Sequence, residues 1–277
     1  MTPDANETYS IIKEYAAPNF FDDFWYDNRN GHVFGFSRFA DNKTAWEEGL
    51  VAYRNNQVYI GADHTNIVPN NTWGRMSVRI NSFQRYSSGL FLLSMDHLPV
   101  GPYATGSGWH SSPVWPAFWF VGESGTNGEF DAYEGFNPND FAFVTLINWA
   151  SWKWGNCTNL NNITSYYNGS GWDHNRMTLD TPHGTADMPF NNAGGGVYAV
   201  QWSYPDFIRT WTFVKPNVPA DITNGSPNPN PDTWGQPHSY FPFGTNCNPN
   251  VINDVYMVLN IAFCNAPNQD FCLNTTG

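Results

Sequence analysis

Apolar and polar residues alternate with a period of two along much of the chain. Met76, Val78 and Ile80 alternate with Ser77 and Arg79. Val255, Met257, Leu259, Ile261 and Phe263 alternate with Tyr256 and Asn260. Gly, Pro, Asn and Asp separate such runs, a pattern that predicts short strands joined by turns. Val197–Val200 and Phe207–Val214 read as neighbouring strands with Pro205-Asp206 as their turn. Ser88–Leu98 is more continuously apolar, as expected of a strand buried on both faces. Helical signal is thin: Lys43–Glu48 and Ile11–Ala16 supply a turn or two each. No repeat of about 20–50 residues is visible, which disfavours solenoids and propellers. These patterns predict an all-β protein, two antiparallel sheets packed as a β-sandwich of jelly-roll type. One domain is expected over residues 1–277, with 1–19 as an N-terminal segment. Residues 216–250 are rich in Pro, Asn and Gly, yet contain Ala220–Thr223 and the aromatics Trp234, Tyr240, Phe241 and Phe243. They are expected to form an ordered loop over the sheet, because alternation resumes after them.

Composition narrows the partners. Aromatic residues make up 17% of the chain, more than a core needs, so some should line a surface or cleft. The net charge of −12 would repel a phosphate backbone or an anionic membrane, so neither is an expected partner. No apolar run approaches the ~20 residues of a membrane span. The chain starts without the basic and apolar regions of a signal peptide. Eight Asn-X-Ser/Thr sequons, four cysteines and scarce lysine nevertheless point to a secreted glycoprotein whose signal peptide is absent from this sequence. The cysteines show no CxxC spacing, so a zinc knuckle is not expected. At least one disulfide is expected among Cys157, Cys247, Cys264 and Cys272; all three pairings stay open, and buried thiols are the alternative.

The sharpest chemical feature is Gly128-Glu129-Phe130-Asp131-Ala132-Tyr133-Glu134-Gly135, with three carboxylates within six residues of a chain poor in charge. On a regular strand Glu129 and Asp131 share one face and Glu134 falls on the other. A one-residue bulge around Ala132-Tyr133 would return Glu134 to the same face, with Phe130 turned to the core. Two carboxylates flanking a bond are what glycoside hydrolysis needs, about 5–5.5 Å apart in a retaining enzyme. Four strand steps place Cα atoms ~13 Å apart, a gap two inward-leaning Glu side chains can close. Asp131 between them can hydrogen-bond the nucleophile, and crowding should keep one acid protonated. A solvated strand face and a calcium site are the plainer readings of the same acids. Just upstream, Trp115, Ala117 and Trp119 fall on one face of Trp115–Phe120, and flat indoles suit the C–H faces of sugar rings.

Pro116-Ala117-Phe118-Trp119 followed by the acid motif resembles glycoside hydrolase family 16, and most of all its fungal laminarinase-like endo-β-1,3(4)-glucanases. Gly74–Ile80, Gly89-Leu90-Phe91, Gly195–Ala199 and Val218–Ile222 extend the likeness over roughly Phe20 to Cys264. The resemblance implies a concanavalin A-like jelly roll with a substrate groove on its concave sheet. It implies that Glu129 is the nucleophile, Asp131 its assistant and Glu134 the general acid/base. It further implies sugar contacts from Trp119, Trp115 and Arg79. The expected reaction is retaining endo-hydrolysis of β-1,3-glucan, or of mixed β-1,3/1,4-glucan. Hydrolysis or transglycosylation of another polysaccharide such as a β-galactan is the alternative within the class, and a non-catalytic lectin the alternative outside it. The expected partner is a polysaccharide and the expected state a monomer. No cofactor is required; a structural calcium ion is implied without assignable ligands. The chain departs from the fungal pattern by lacking a His in Phe143–Trp149, lacking a Trp in Gly122–Asn127, carrying Arg38 in place of an Asn, and reading Cys264-Asn265-Ala266-Pro267 near its end. These positions belong to the groove wall, where Trp149, Trp152, Lys153 and Trp154 are expected to build a different wall or close one end.

Overall fold

The computed structural model describes residues 8–28, 35–69, 72–101, 114–123, 127–135, 139–155, 157, 164–165, 171–172, 176–244 and 247–264. Within them the chain forms β1 (Phe24–Tyr26), β2 (Ser37–Phe39), β3 (Val51–Arg54), β4 (Gln57–Ile60), β5 (Arg75–Ser77), β6 (Arg79–Tyr86), β7 (Gly89–Met95) and β8 (Val114–Gly122). There follow β9 (Glu129–Gly135), β10 (Ala142–Ile147), β11 (Thr164–Ser165), β12 (Gly171–Trp172), β13 (Arg176–Asp180), β14 (Gly196–Ser203), β15 (Phe207–Val214), β16 (Ser239–Pro242) and β17 (Val255–Phe263). The helices are short: α1 (Asn42–Glu47), α2 (Ser151–Trp154), α3 (Asp187–Asn192) and α4 (Ala220–Thr223). Eight strands form one antiparallel sheet in the order β1-β6-β17-β8-β9-β10-β13-β12, and five form a second in the order β11-β16-β15-β14-β7. The acid motif is therefore an inner strand of the larger sheet, braced on both edges.

The period-two pattern decides which face is buried. On β17 the residues Val255, Met257 and Leu259 join Phe118, Phe120 and Phe130 in the core between the sheets. The second sheet answers with Tyr198, Val200, Trp202, Ile208 and Phe241. Ring contacts tie the layers: Phe130 meets Phe241 edge-on at 5.7 Å, and Tyr133 meets Tyr198 at 4.6 Å. Each such pair adds about 0.5–1.5 kcal/mol beyond the area it buries.

The predicted hairpin at Pro205-Asp206 joins β14 to β15 in full register. The predicted turn at Lys43–Glu48 is α1, whose first turn is capped by the Asp41 carboxylate accepting from the Thr44 amide at 2.7 Å. Two expectations are corrected. Ser88–Leu98 does not hold a strand buried on both faces: β7 is the edge of its sheet, with Leu92 39% exposed. Its continuous apolar run serves two clusters, Phe91, Leu93 and Met95 facing the core and Leu90 packing outside with Trp211 and Trp234. Ile11–Ala16 is not helical. Ile11 and Ile12 are exposed, Pro18 follows closely, and Tyr15 packs its ring on Phe20 and Phe24 instead.

Of the 216–250 stretch, residues 216–238 run over the smaller sheet, whereas Ser239–Pro242 is strand β16 of that sheet and not loop. Trp234 covers Trp211 edge-on at 5.4 Å, and its indole N–H donates to both Asp221 carboxylate oxygens at 2.9 Å. His238 closes the loop: its Nδ1 accepts from the Thr212 amide at 2.9 Å. Burial pushes the His238 pKa down from 6.5 to about 4. The unfolded chain therefore binds this proton first, and the stability His238 contributes is lost as pH falls from about 6.5 to about 4. The full effect is about 3 kcal/mol. His238→Gln, which keeps an acceptor, should flatten the dependence of melting temperature on pH across that window; an unchanged slope would contradict this assignment.

Candidate active site

The bulge expected in the acid motif is present. On β8, the consecutive residues Trp119 and Phe118 pair with Asp131 and Tyr133, so Ala132 is the extra residue. On β10 the register shifts between Thr145, opposite Asp131, and Phe143, opposite Glu134. Ala132 and Tyr133 both enter the core cluster. The register consequence is direct. Glu129, Asp131 and Glu134 stand opposite Val121, Trp119 and Ala117, alternate residues of β8 that share one face. All three acids thus lie on the outward face of the larger sheet. Glu129 and Glu134 are partly exposed, and Asp131 between them is 3% exposed.

The glycine before the motif is required by packing. A Cβ on Gly128 would lie 2.4 Å from the Val251 carbonyl oxygen and 2.7 Å from that of Ile147. Only glycine lets β9 start between these two backbones, and its amide donates to Val251 at 2.5 Å.

The indoles divide their work. Trp115 lies on the acid face, and its Nε1–H donates to Glu134 Oε1 at 2.9 Å. Trp119 is floor, 8% exposed, with its Nε1–H donating to Asn260 Oδ1 at 2.7 Å. Arg79 lies beside it on the same outward face, across β17 from Ala117, 4% exposed, its guanidinium 4.7 Å from the Trp119 ring centroid and its Nε 3.3 Å from Asp27 Oδ2. Arg79 and Asp27 form a buried ion pair that packs the guanidinium against the Trp119 ring from the side. Neither Asp27 nor Asn260 carries a local signal of these contacts in the sequence. Asn260 was legible only as a polar residue in an apolar strand.

Outward from Trp119 the floor continues through Val258 to Asn81 and then Trp25, paired residues across β17, β6 and β1. Trp25 meets Tyr256 edge-on at 5.8 Å, and the Tyr256 hydroxyl accepts from Arg85 at 3.0 Å. On the opposite side, Phe143 and Thr145 follow on β10, with Thr178 and Asp180 beyond them on β13. The Thr145 and Thr178 hydroxyls are 3.2 Å apart. Burial raises the carboxyl pKa of Asp180, opposed by nearby His183. Of the expected wall, Trp154 packs against the core, whereas Trp149 and Trp152 are exposed. Arg38 is exposed on β2. The segments at 124–126 and 265–267 lie outside the described residues.

A disulfide joins Cys157 to Cys247, and Cys264 is also oxidised. The first bond ties the segment after β10 to the turn that supplies Val251 to Gly128. Among the described residues no three His, Cys, Asp or Glu side chains gather as a metal site.

Paired carboxylates among indoles, on the open face of an antiparallel sandwich, define a carbohydrate-active jelly roll. The chain belongs to glycoside hydrolase family 16: residues 19–275 match the model of the XgeA-like catalytic GH16 domain. It is 31% identical over 227 residues to a probable endo-1,3(4)-β-glucanase of Aspergillus niger, covering 81% of this chain and 29% of that protein. Laminarinase 16A of Phanerochaete chrysosporium, solved with 6-O-glucosyl-laminaritriose in donor and acceptor sites, superposes with a TM-score of 0.80 at 26% identity, over 94% of this chain and 86% of that one. An elongating GH16 β-1,3-glucosyltransferase superposes with a TM-score of 0.75 at 28% identity, over 94% and 82%. The chain spans 59% of one curated relative and 29% of another.

Proposed function

We propose that this chain is a retaining endo-glycoside hydrolase that cleaves β-1,3-glucan, including mixed β-1,3/1,4 chains, by double displacement. The observation that carries the reading is the bulge at Ala132, which sets Glu129, Asp131 and Glu134 on one face of β9. Glu129 attacks the anomeric carbon while Glu134 protonates the departing glycosidic oxygen. Glu134, now a carboxylate, removes a proton from water, which attacks the same carbon and frees Glu129. Asp131, buried between them, holds the Glu129 carboxyl. Trp119 supplies the flat floor, with Arg79 packed beside it. No step needs a cofactor. The β-glucan ligands of the Phanerochaete chrysosporium laminarinase support the substrate class.

A second reading, transfer of the glycosyl group to another glucan, is favoured by the likeness to the elongating glucosyltransferase. It uses the same covalent intermediate, with a sugar hydroxyl in place of water. An extracellular glycoprotein is the setting we propose. The oxidised cysteines suit that setting, as do the exposed sequon residues Asn42 and Asn224.

Product analysis tests the reading on laminarin, mixed-linkage β-glucan, xyloglucan, β-galactan and agar. Short oligosaccharides from laminarin support it, and products longer than the substrate support transfer. Cleavage of another glycan alone overturns the substrate, and binding without cleavage of any overturns the reaction.

Trp115 carries a separate prediction. A hydrogen bond to a charged group contributes about 1.5–3 kcal/mol, and this one fixes the acid/base carboxyl. Trp115→Phe keeps the ring and removes the N–H. It should lower kcat roughly 10- to 100-fold on substrates whose leaving group needs a proton, and far less on a dinitrophenyl glycoside. An equal loss on both would contradict a positioning role.

A further inference from the structure

The segment between β10 and Cys157 has no part in the reaction above, yet it exposes two tryptophans. Trp152 is 79% exposed and Trp149 45%. Their backbone is firmly held. Asn148 Nδ2–H donates to the Gly155 carbonyl at 2.6 Å, and Asn148 Oδ1 accepts from the Ala150 amide at 3.1 Å. The Asn248 amide donates to the Trp154 carbonyl at 2.8 Å, and Ala150 is fully buried beneath the turn. Trp154 lies inward under Lys153, whose ammonium is 4.1 Å from the ring centroid. The Cys157–Cys247 bond closes the segment. Large apolar rings held open to water on a fixed backbone lose little entropy when a ligand covers them.

The position and the charge select the ligand. Ile147, the last residue of β10, pairs with Glu129, so the segment leaves the sheet beside the nucleophile end of the acid strand. It therefore borders the groove at the Glu129 end of its floor strands, where a branch or a neighbouring strand of a polymeric glucan bound across them would meet it. The protein carries 24 acidic against 12 basic residues, which disfavours polyanions and anionic bilayers. We infer that Trp149 and Trp152 form an auxiliary platform that stacks on glucose rings of a neutral glucan outside the residues being cleaved. This inference rests on the glucan reading above and adds to it a preference for long polymer over short oligosaccharide.

The test compares wild type with Trp149→Ala, Trp152→Ala and the double variant. One arm measures depletion from solution by particulate β-1,3-glucan, with Glu129→Gln added to each protein so that the polymer stays intact. The other arm measures kcat/KM on laminaritetraose and on laminarin. The double variant should bind particles at least about tenfold more weakly, since two stacked rings are lost. Its kcat/KM should fall on laminarin and hold on laminaritetraose, and its melting temperature should stay that of wild type. Equal particle binding by wild type and double variant overturns the platform while leaving the hydrolase reading intact. Equal losses on tetraose and polymer also overturn it, because the rings would then serve the cleavage subsites. A wild-type dimer that the double variant makes monomeric, or vesicle binding that only the double variant loses, overturns it in favour of another occupant. A wild type that cleaves no glucan overturns both readings.

Discussion

Under the proposed double displacement, Glu129→Ala and Glu134→Ala should each lose at least about 10⁴-fold of kcat on laminarin, since each group then takes part in both half-reactions. The two losses should be distinguishable by rescue with azide. In Glu129→Ala, azide enters the space left by the carboxylate and attacks the β-linked substrate once, which gives the α-glycosyl azide. This rescue needs a substrate with a good leaving group, as Glu134 alone assists departure. In Glu134→Ala, an activated aryl glycoside still loads Glu129, and azide then attacks the glycosyl-enzyme from the opposite face. Two inversions give the β-glycosyl azide. The prediction follows from which acid sits where on β9: the bulge separates Glu134 from the Glu129–Asp131 pair by one extra residue while keeping all three on one face. The same anomer from both variants would contradict the assigned roles. Asp131→Asn should keep measurable turnover, the result expected of a group whose proposed role is only to hold Glu129.

Breaking the Cys157–Cys247 bond should have the largest effect on stability. The cysteines are 90 residues apart in sequence, and closing so long a loop in the unfolded chain costs about 4–5 kcal/mol of chain entropy. Cys247 is completely buried and Cys157 nearly so, and both lie in the main core cluster. The Cys157→Ala/Cys247→Ala variant should melt on the order of 10 °C lower, read by calorimetry or circular dichroism. The loss should also reach the reaction. Cys247 leads into the turn whose Val251 carbonyl accepts the Gly128 amide, one residue before Glu129. Loss of activity should therefore precede global unfolding as the variant is warmed. Coincident transitions for activity and fold would show that the bond stabilises the whole domain without bracing the motif.

The parts of the site legible in the sequence are those set by local period. Alternation placed Trp115, Ala117 and Trp119 on one face. The count from Asp131 to Glu134 required a bulge if the acids were to act together, and the bulge is found there. The hairpin at Pro205-Asp206 was legible from turn chemistry. What was not legible is long-range. Nothing near Arg79 in sequence shows that Asp27 pairs with it, or that the guanidinium packs against Trp119. Asn260, which accepts from the Trp119 indole, is 141 residues away. The apolar run at Ser88–Leu98 suggested a strand buried on both faces, because composition does not distinguish a central strand from an edge strand covered by a loop. Trp234, from that covering loop, makes the outer cluster beside Leu90. The cysteine pairing likewise follows from topology alone, since it depends on how β10 and the turn before β17 meet.

The central claim is that β9 presents one nucleophilic carboxylate to a glycan, at Glu129. The most direct test is covalent trapping. Wild-type protein would be incubated with a 2-deoxy-2-fluoro-β-laminaribiosyl fluoride, whose electron-poor ring slows hydrolysis of the glycosyl-enzyme. It would then be weighed intact, digested and sequenced by mass spectrometry. One fluoroglycosyl unit per chain is expected, on the peptide containing Gly128–Gly135 and at Glu129. A label on Glu134 or Asp131, or steady release of products with no trapped species, would contradict it.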